Sequence, residues 1–318
     1  MSNPVSLQIN IAPVDYPAIV HTLPHQLSIL GNQCNEICLT FDTRMNKNSK
    51  RFSSAQWQEN KLQTEQFVAQ LEGEFPHLVF KKVDYSEEMR RTLSEFFYGS
   101  ARKRMPDKDF RGGPFYSYYY GWYATQNDYV LHLDADILLG GGSQTWVAEA
   151  LEYLKADSNL LYTSPLLGPP LYKGEMPKLK KKTYNPIGRY PKAGHAYLYK
   201  DFSTRIFLLN KQHLKGVCPL QHPNLDHHIK ALFRGLPPYR FPEGSLSDVM
   251  KNQQLLRLDF LGELPGLWSH HPGFTGERYT SQLAKIVKAV EEERFPEFMR
   301  GRQDIIEPYF QMIVNNEI

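Results

Sequence analysis

The sequence predicts an α/β protein: a doubly wound, mostly parallel mixed sheet flanked by helices, with a C-terminal helical extension. Three observations predict it. Early in the chain, apolar runs of strand length alternate with segments of helical periodicity. Several of those runs end in an acid, at Asp42, Asp84 and Asp134, and ligands of such sheets sit at the carboxyl ends of the strands. The third is the stretch from Tyr129 to Leu139. It is too short to span a membrane, is interrupted by His132, Asp134 and Asp136, and is followed by Gly140-Gly141-Gly142.

Val5 to Ala12 alternates as a first strand, which Pro13 closes. Tyr16 to Leu30 has helical spacing that Pro17 and Pro24 are expected to break. Glu36 to Asp42 reads as a second strand and Leu78 to Val83 as a third, ending at Asp84. Between them, Gln56 to Phe75 is an amphipathic helix with Leu62, Phe67, Val68 and Leu71 on its apolar side. Ser86 to Phe97 is helix-like and leads into a basic loop, Arg102 to Pro114. The cations of that loop and Gly112-Gly113 would hold a diphosphate through side chains and exposed backbone N–H groups, or would form a solvated surface. Phe115 to Thr125 predicts a helix beneath the central strand, with Tyr118, Trp122 and Tyr123 in the core.

Further on, Thr145 to Leu154 is an amphipathic helix, Leu160 to Pro170 a strand entering a turn, and Phe202 to Leu209 another strand. Arg205 in that strand is read as a surface ion pair, with a phosphate clamp as the functional alternative. Tyr172 to Gly194 lacks periodicity and carries a basic run, Lys178 to Lys182. As a functional element this surface loop would be a lid or a contact to acidic lipid heads. Asp226 to Gly235 is a helix that Asn224 or Asp226 begins and Gly235 ends. Tyr279 to Glu293 is one amphipathic helix, and the chain to Ile318 a helical tail that packs on the sheet or mediates self-association.

Composition narrows the function classes. The 318 residues can bury one large core or two smaller ones, and a formal charge of +3 makes no case for nucleic acid as principal partner. The cysteines number 3, and Cys34 with Cys38 lacks the second pair of a zinc site, so all are expected to be reduced thiols. Thiols without an N-terminal signal or a long apolar run point to a cytoplasmic chain, with peripheral membrane contact left open. His21 and His25 lack the central Glu of a zinc-protease helix and have Pro24 between them.

The chemistry concentrates at the end of the central strand. Residues two apart on a strand share a face, so Asp134 and Asp136 can lean toward one cation. Two hard oxygen ligands there suit Mg²⁺ or Mn²⁺ coordinated mainly by substrate phosphates. Asp-X-Asp also occurs by chance in solvated turns, but a carboxylate pair closing so apolar a strand costs desolvation unless a cation or water meets it. This is the Asp-X-Asp arrangement of glycosyltransferases that use nucleotide sugars.

The first strand ending near Pro13, the strand ending in Asp42, the helix leading into Asn127-Asp128-Tyr129 and on to Asp134-Ala135-Asp136, and the later Asp226-His227-His228 segment resemble the family 2 glycosyltransferases with the GT-A fold. The resemblance covers about the first two thirds of the chain. It implies that Asp42 contacts the nucleoside, that Asp134 and Asp136 hold the divalent cation and diphosphate, and that a His returning beyond the base, here His271, completes the metal set. Pro13, Asp42, Asp84, Gly113, Asp134, Ala135 and Asp136 form the expected donor-contacting set. Asp226 is the expected catalytic base, with Glu243 in reserve and first-turn capping as its structural alternative. The family commonly has two adjacent acids at this position, whereas Leu225 precedes Asp226 here. Trp268 is read as a stacking platform for an acceptor sugar or as a core residue.

The expected protein is thus a metal-dependent glycosyltransferase that moves a sugar from a UDP- or GDP-sugar to an acceptor hydroxyl, with inversion, on a glycan or small hydroxyl acceptor, and a homo-oligomer is compatible with it. Expected organisation is a catalytic domain over 1–275, divided into a nucleotide-sugar half over 1–140 and an acceptor half over 141–275, and a tail over 276–318. Two other readings compete. A sugar-1-phosphate nucleotidyltransferase would need a Gly-rich basic loop after the first strand, where this chain has Ala12-Pro13-Val14-Asp15. A non-catalytic carbohydrate-binding protein on the same frame would need none of Asp134, Asp136, Asp226 and His271.

Overall fold

The structure is a computed structural model and describes residues 3–45, 53–102, 104–173, 175–178, 185–191, 194–221, 223, 225–273 and 276–318. Strand β1 (Val5–Ile11) leads through a short 3-10 turn at Pro13–Asp15 into helix α1 (Tyr16–Leu30). There follow β2 (Glu36–Phe41), α2 (Ser54–Glu74), β3 (Leu78–Lys82), α3 (Glu87–Tyr98), α4 (Tyr116–Ala124) and β4 (Tyr129–Asp134). After the acidic turn come β5 (Leu138–Gly140), α5 (Trp146–Ala156), β6 (Leu160–Leu167), β7 (Gly188–Arg189), β8 (Ala196–Tyr199), β9 (Ile206–Asn210), α6 (Lys211–Val217) and α7 (Leu225–Leu232). The chain ends with α8 (Pro242–Gln253), β10 (Leu256–Phe260), β11 (Trp268–Pro272), α9 (Glu277–Thr280), α10 (Leu283–Glu291), β12 (Asp304–Ile305) and α11 (Glu307–Val314).

The sheet runs β3-β2-β1-β4-β9-β6-β10-β8-β7. Strands β3, β2, β1 and β4 are mutually parallel, β9 is antiparallel to both β4 and β6, and β10 returns parallel to β6. The result is the expected mixed, mostly parallel sheet with helices on both faces. Strand order reverses beside β1: β2 and β3 extend to one side and β4 to the other. A crevice at the carboxyl ends of the strands is built at such a reversal, because the chains leaving the two strands turn to opposite faces.

Strand periodicity sorts β1 between two layers. Val5, Leu7, Ile9 and Ile11 join Leu23, Leu27 and Leu30 of α1 and Val68 and Leu71 of α2 in one core. Ser6, Gln8 and Asn10 point the other way, toward α4. Gln8 there donates to Thr40 Oγ1 at 2.9 Å and to Asn10 Oδ1 at 3.0 Å, and its Oε1 lies 2.5 Å from His132 Nδ1. Helix α4 can lie this close because residue 121 is glycine: a Cβ there would stand 2.6 Å from both Gln8 Nε2 and Asn10 Oδ1. The face opposite α1 is completed by Phe97, Tyr119, Trp122, Phe207 and Leu246.

Several expectations change. Helix α1 runs through Pro24 unbroken, since Leu23, Leu27 and Leu30 are all buried and tertiary packing outweighs one lost backbone hydrogen bond. Leu62 is exposed, and α2 instead buries Trp57, Thr64, Val68 and Leu71 after a Ser53–Gln56 capping box. The helix expected over 279–293 is split into α9 and α10. Trp268 lies in the core, with its ring over Gly140, so it is no stacking platform. The tail is bound to the sheet: β12 pairs with β11, and Tyr309, Phe310 and Ile313 pack with Trp268 and Ile286. All three cysteines are free, and burial pushes the Cys34 and Cys38 thiols up to about 12. Within the basic run, Lys180 to Lys182 lie outside the described residues, as does Asn224.

Gly121→Ala should destabilise the protein by about 1–3 kcal/mol, because buried Gln8 and half-buried Asn10 cannot give way without breaking their own hydrogen bonds. A denaturant midpoint equal to that of the parent would contradict this packing.

Candidate functional site

At the reversal beside β1 a cavity of about 360 Å³ opens at the carboxyl ends of the strands, within the usual size range of ligand sites. Asn10 and Ile11 of β1, Asp42 and Arg44 after β2, and Asp134, Ala135 and Asp136 after β4 line it. Ala12, Val14 and Asp15 close one side, Trp57 of α2 contributes from above, and Lys108, Pro114, Ser117 and Tyr118 complete the wall. Asp42, Asp134, Ala135 and Asp136, separated by up to ninety-odd residues in sequence, therefore share one crevice.

Each acid is held differently. Asp42 accepts from the Arg44 backbone N–H at 3.0 Å and from the Tyr85 hydroxyl. Arg44 lays its guanidinium over the Tyr85 ring, 3.8 Å from the centroid, and reaches Asp107 at 2.6 Å. This fixes a cation two residues from Asp42 at the cavity wall. Asp134 accepts from the Tyr118 hydroxyl at 2.7 Å, and His132 Nε2 lies 3.5 Å from the same oxygen. Burial, then the Asp134 charge, pushes the Tyr118 phenol well up, so it stays a proton donor to that carboxylate.

Asp136 is the unbalanced member. Its Oδ1 is buried with no hydrogen-bond partner among the described residues, while Oδ2 faces His271 Nε2 at 3.9 Å. Burial first, and the charge of Asp134 second, push its carboxyl above the ordinary range, against the pull of His271 and Arg205. A neighbouring divalent cation would relieve both causes.

The C-terminal segment supplies the support. His271 Nδ1 is 3.2 Å from Asp304 Oδ1, and Arg205 donates to the same oxygen at 2.7 Å and to Gln303 Oε1 at 2.9 Å. The hydrogen bond from His271, then the Arg205 charge, hold the Asp304 carboxyl down to about 2. With Nδ1 engaged by the Asp304 carboxylate, Nε2 is the ring nitrogen that faces the Asp136 side. Sequence reasoning missed Asp304 and Gln303, which carry no local signal and reach the site only through the pairing of β12 with β11.

The donor set fits a hard cation that a phosphate group helps to hold. No group of three or more His, Cys, Asp or Glu side chains closes around a metal-sized point among the described residues. Mg²⁺ and Mn²⁺ sites that share their ion with a diphosphate use only one or two protein carboxylates and leave the other positions to phosphate and water.

Other expected residues lie elsewhere. Pro13 is buried in the turn between Ala12 and Val14, which do line the cavity. Asp84 accepts from the Ser86 N–H at 2.7 Å, just before α3 begins, and lies outside the lining. Gly113 donates its N–H to buried Asp109 at 3.0 Å, and Gly112 donates to the Asp109 carbonyl at 3.0 Å. The exposed N–H cradle expected of Gly112-Gly113 is therefore spent inside the loop, which contributes Lys108 and Pro114 to the cavity instead. Asp226 is exposed in the first turn of α7, 2.6 Å from Lys230. Glu243, in the first turn of α8, is only partly exposed. Burial raises its carboxyl, Arg205, Arg257 and Arg111 lower it, and Asp134 raises it.

No family model matches the chain, and no curated protein matches it. Among solved structures it is similar to GalNAc-T7 with UDP, GalNAc and Mn²⁺, at 12% identity and a TM-score of 0.47, over 91% of this chain. The match spans about half of the GalNAc-T7 chain, 48%. S. aureus TarS 1–349 in complex with UDP is similar at 11% identity and a TM-score of 0.43, over 93% of this chain and 68% of that one. The galactosyltransferase LgtC with donor and acceptor sugar analogs is similar at 11% and 0.34, over 79% and 70%. Identity and superposition are both low, and the chemistry rests on the cavity itself.

Asp136→Asn should raise the melting temperature of the metal-free protein at about pH 7, by on the order of 1–2 °C. A carboxyl raised in the folded state contributes stability that is complete below its unfolded value and is lost as pH rises through the folded one. The difference between variant and parent should therefore shrink toward about pH 4. A variant that melts lower than the parent at neutral pH would contradict the described charge balance.

Proposed function

We propose that this chain is a metal-dependent glycosyltransferase of the GT-A type, moving a sugar from a UDP- or GDP-sugar to an acceptor hydroxyl with inversion. One observation carries the reading: the crevice beside β1 has a nucleoside-sized cavity with Asp42 on one side and the Asp134–Asp136 pair on the other. Asp42, oriented by Tyr85 and the Arg44 N–H, accepts hydrogen bonds from the nucleoside. Lys108 and Arg44 face the diphosphate. Asp134 and Asp136 hold Mn²⁺ or Mg²⁺, with His271 behind them. The ion neutralises charge that builds on the departing diphosphate.

The acceptor hydroxyl must lose a proton as it attacks the anomeric carbon. A carboxyl whose proton affinity is raised by burial matches that task better than a solvated one paired to a lysine. Glu243 meets the description and Asp226 does not. We therefore assign the base to Glu243, whose carboxyl is raised first by burial and feels the charges of Arg205 and Asp134. Inversion follows if Glu243 faces the side of the sugar opposite the diphosphate.

Transfer assays with UDP- and GDP-sugars and a hydroxyl acceptor panel, with and without EDTA, test the reading. Glu243→Gln should lower kcat by about 10²–10⁴-fold and leave donor binding unchanged, while Asp226→Asn should stay within about two-fold. The reverse pattern would return the base to Asp226, and full turnover in excess EDTA would remove the cation from the reading.

A further inference from the structure

Helix α1 turns a buried polar stripe toward the acidic turn. Thr22, His25 and Gln26 are all buried, and at ~100° per residue they fall within an arc of about 100°. Beside that arc, Ile19, Leu23, Leu27 and Leu30 fill the core with apolar side chains. Polar groups on the buried side of a helix cost solvation unless each finds a partner, and here the partners all belong to one short segment.

That segment is the backbone of residues 134–139. Asp134 to Ile137 form a β-turn, closed by the Ile137 N–H on the Asp134 carbonyl at 3.1 Å, with Ala135 and Asp136 at its centre. Gln26 Nε2 donates to the Asp134 carbonyl at 3.1 Å and to the Ile137 carbonyl at 2.8 Å. The Gln26 Oε1 stays buried with no hydrogen-bond partner among the described residues, so the turn alone fixes which way this amide points. Thr22 Oγ1 donates to the Ala135 carbonyl at 2.6 Å. The Leu139 N–H donates to His25 Nε2 at 2.9 Å, which leaves the ring proton on Nδ1, 2.8 Å from Glu291 on α10. The carbonyls on both sides of Asp136 are thus gripped from behind by one helix. A freer turn would rotate until water met the orphaned Asp136 Oδ1. This one is held, and a ligand already in place has less ordering left to pay when an ion arrives.

We propose that Thr22 and Gln26 are positioning residues, which hold the Asp136 carboxylate in its cation-binding arrangement by fixing the carbonyls around it. The inference rests on the proposed metal role of Asp134 and Asp136. It is tested by titrating the full chain with Mn²⁺ at fixed UDP or GDP, reading bound nucleotide by equilibrium dialysis, with melting temperatures taken in EDTA. Thr22→Val and Gln26→Met should each raise the free Mn²⁺ concentration at half-saturation by about ten-fold or more. Nucleotide bound at saturating Mn²⁺ should match the parent. Thr22→Ser keeps the hydroxyl and should stay within about two-fold of the parent. If Gln26→Met does not fold, the two Thr22 variants decide. Variants that melt lower yet need no more Mn²⁺ than the parent, or a Thr22→Ser protein as impaired as Thr22→Val, would overturn the proposal and leave the metal reading standing. A parent that binds neither nucleotide, or binds them equally well in EDTA, would overturn the metal reading and this proposal with it.

Discussion

Two carboxylates one residue apart at the end of a buried parallel strand set the electrostatic problem that the rest of the site answers. Strand β4 is buried from Val130 to Leu133, so Asp134 and Asp136 emerge from an apolar support, Asp136 with one carboxylate oxygen buried. The chain answers on one side only. Asp134 receives the Tyr118 hydroxyl, whereas Asp136 keeps a buried oxygen without a partner. Leaving an acid in that state costs stability in the folded protein, a cost that makes sense at a place where a cation arrives with its substrate.

The sheet places this imbalance at the wall of an open cavity. Because β2 and β4 flank β1 on opposite sides, the segments after the three strands diverge and leave a crevice between them. The floor of that crevice is kept rigid by the Gln8, Asn10, Thr40 and His132 network, which α4 approaches closely at Gly121. Behind the acids, Asp304 and Gln303 lock His271 and Arg205 from the C-terminal segment. The far end of the chain thus tunes the charge at its middle.

Much of this was legible because it is local. The two-residue period of β1, β2 and β4, the acids at their ends and the strand–helix alternation are read directly along the chain, and they place Asp42, Asp134, Ala135 and Asp136 in one cavity. What was hidden depends on distant partners. Short strands such as β7 and β12 have no period to detect, so the delivery of Asp304 to His271, 33 positions away, has no signature. Asp84 and Gly113 looked like ligands because acids and glycines at turns do so, yet their local hydrogen bonds to Ser86 and Asp109 consume them. The contrast between Asp226, exposed beside Lys230, and Glu243, raised first by burial, is a matter of packing.

The central claim is that the Asp134–Asp136 end of β4 holds a divalent ion shared with a nucleoside diphosphate. It is tested most directly by an anomalous difference map from crystals grown with UDP or GDP and Mn²⁺. The account predicts a peak about 2.0–2.6 Å from a carboxylate oxygen of Asp134 or Asp136, with diphosphate oxygens on its open side. Nucleotide bound in the crevice with no metal peak, or a peak away from both carboxylates, would contradict it.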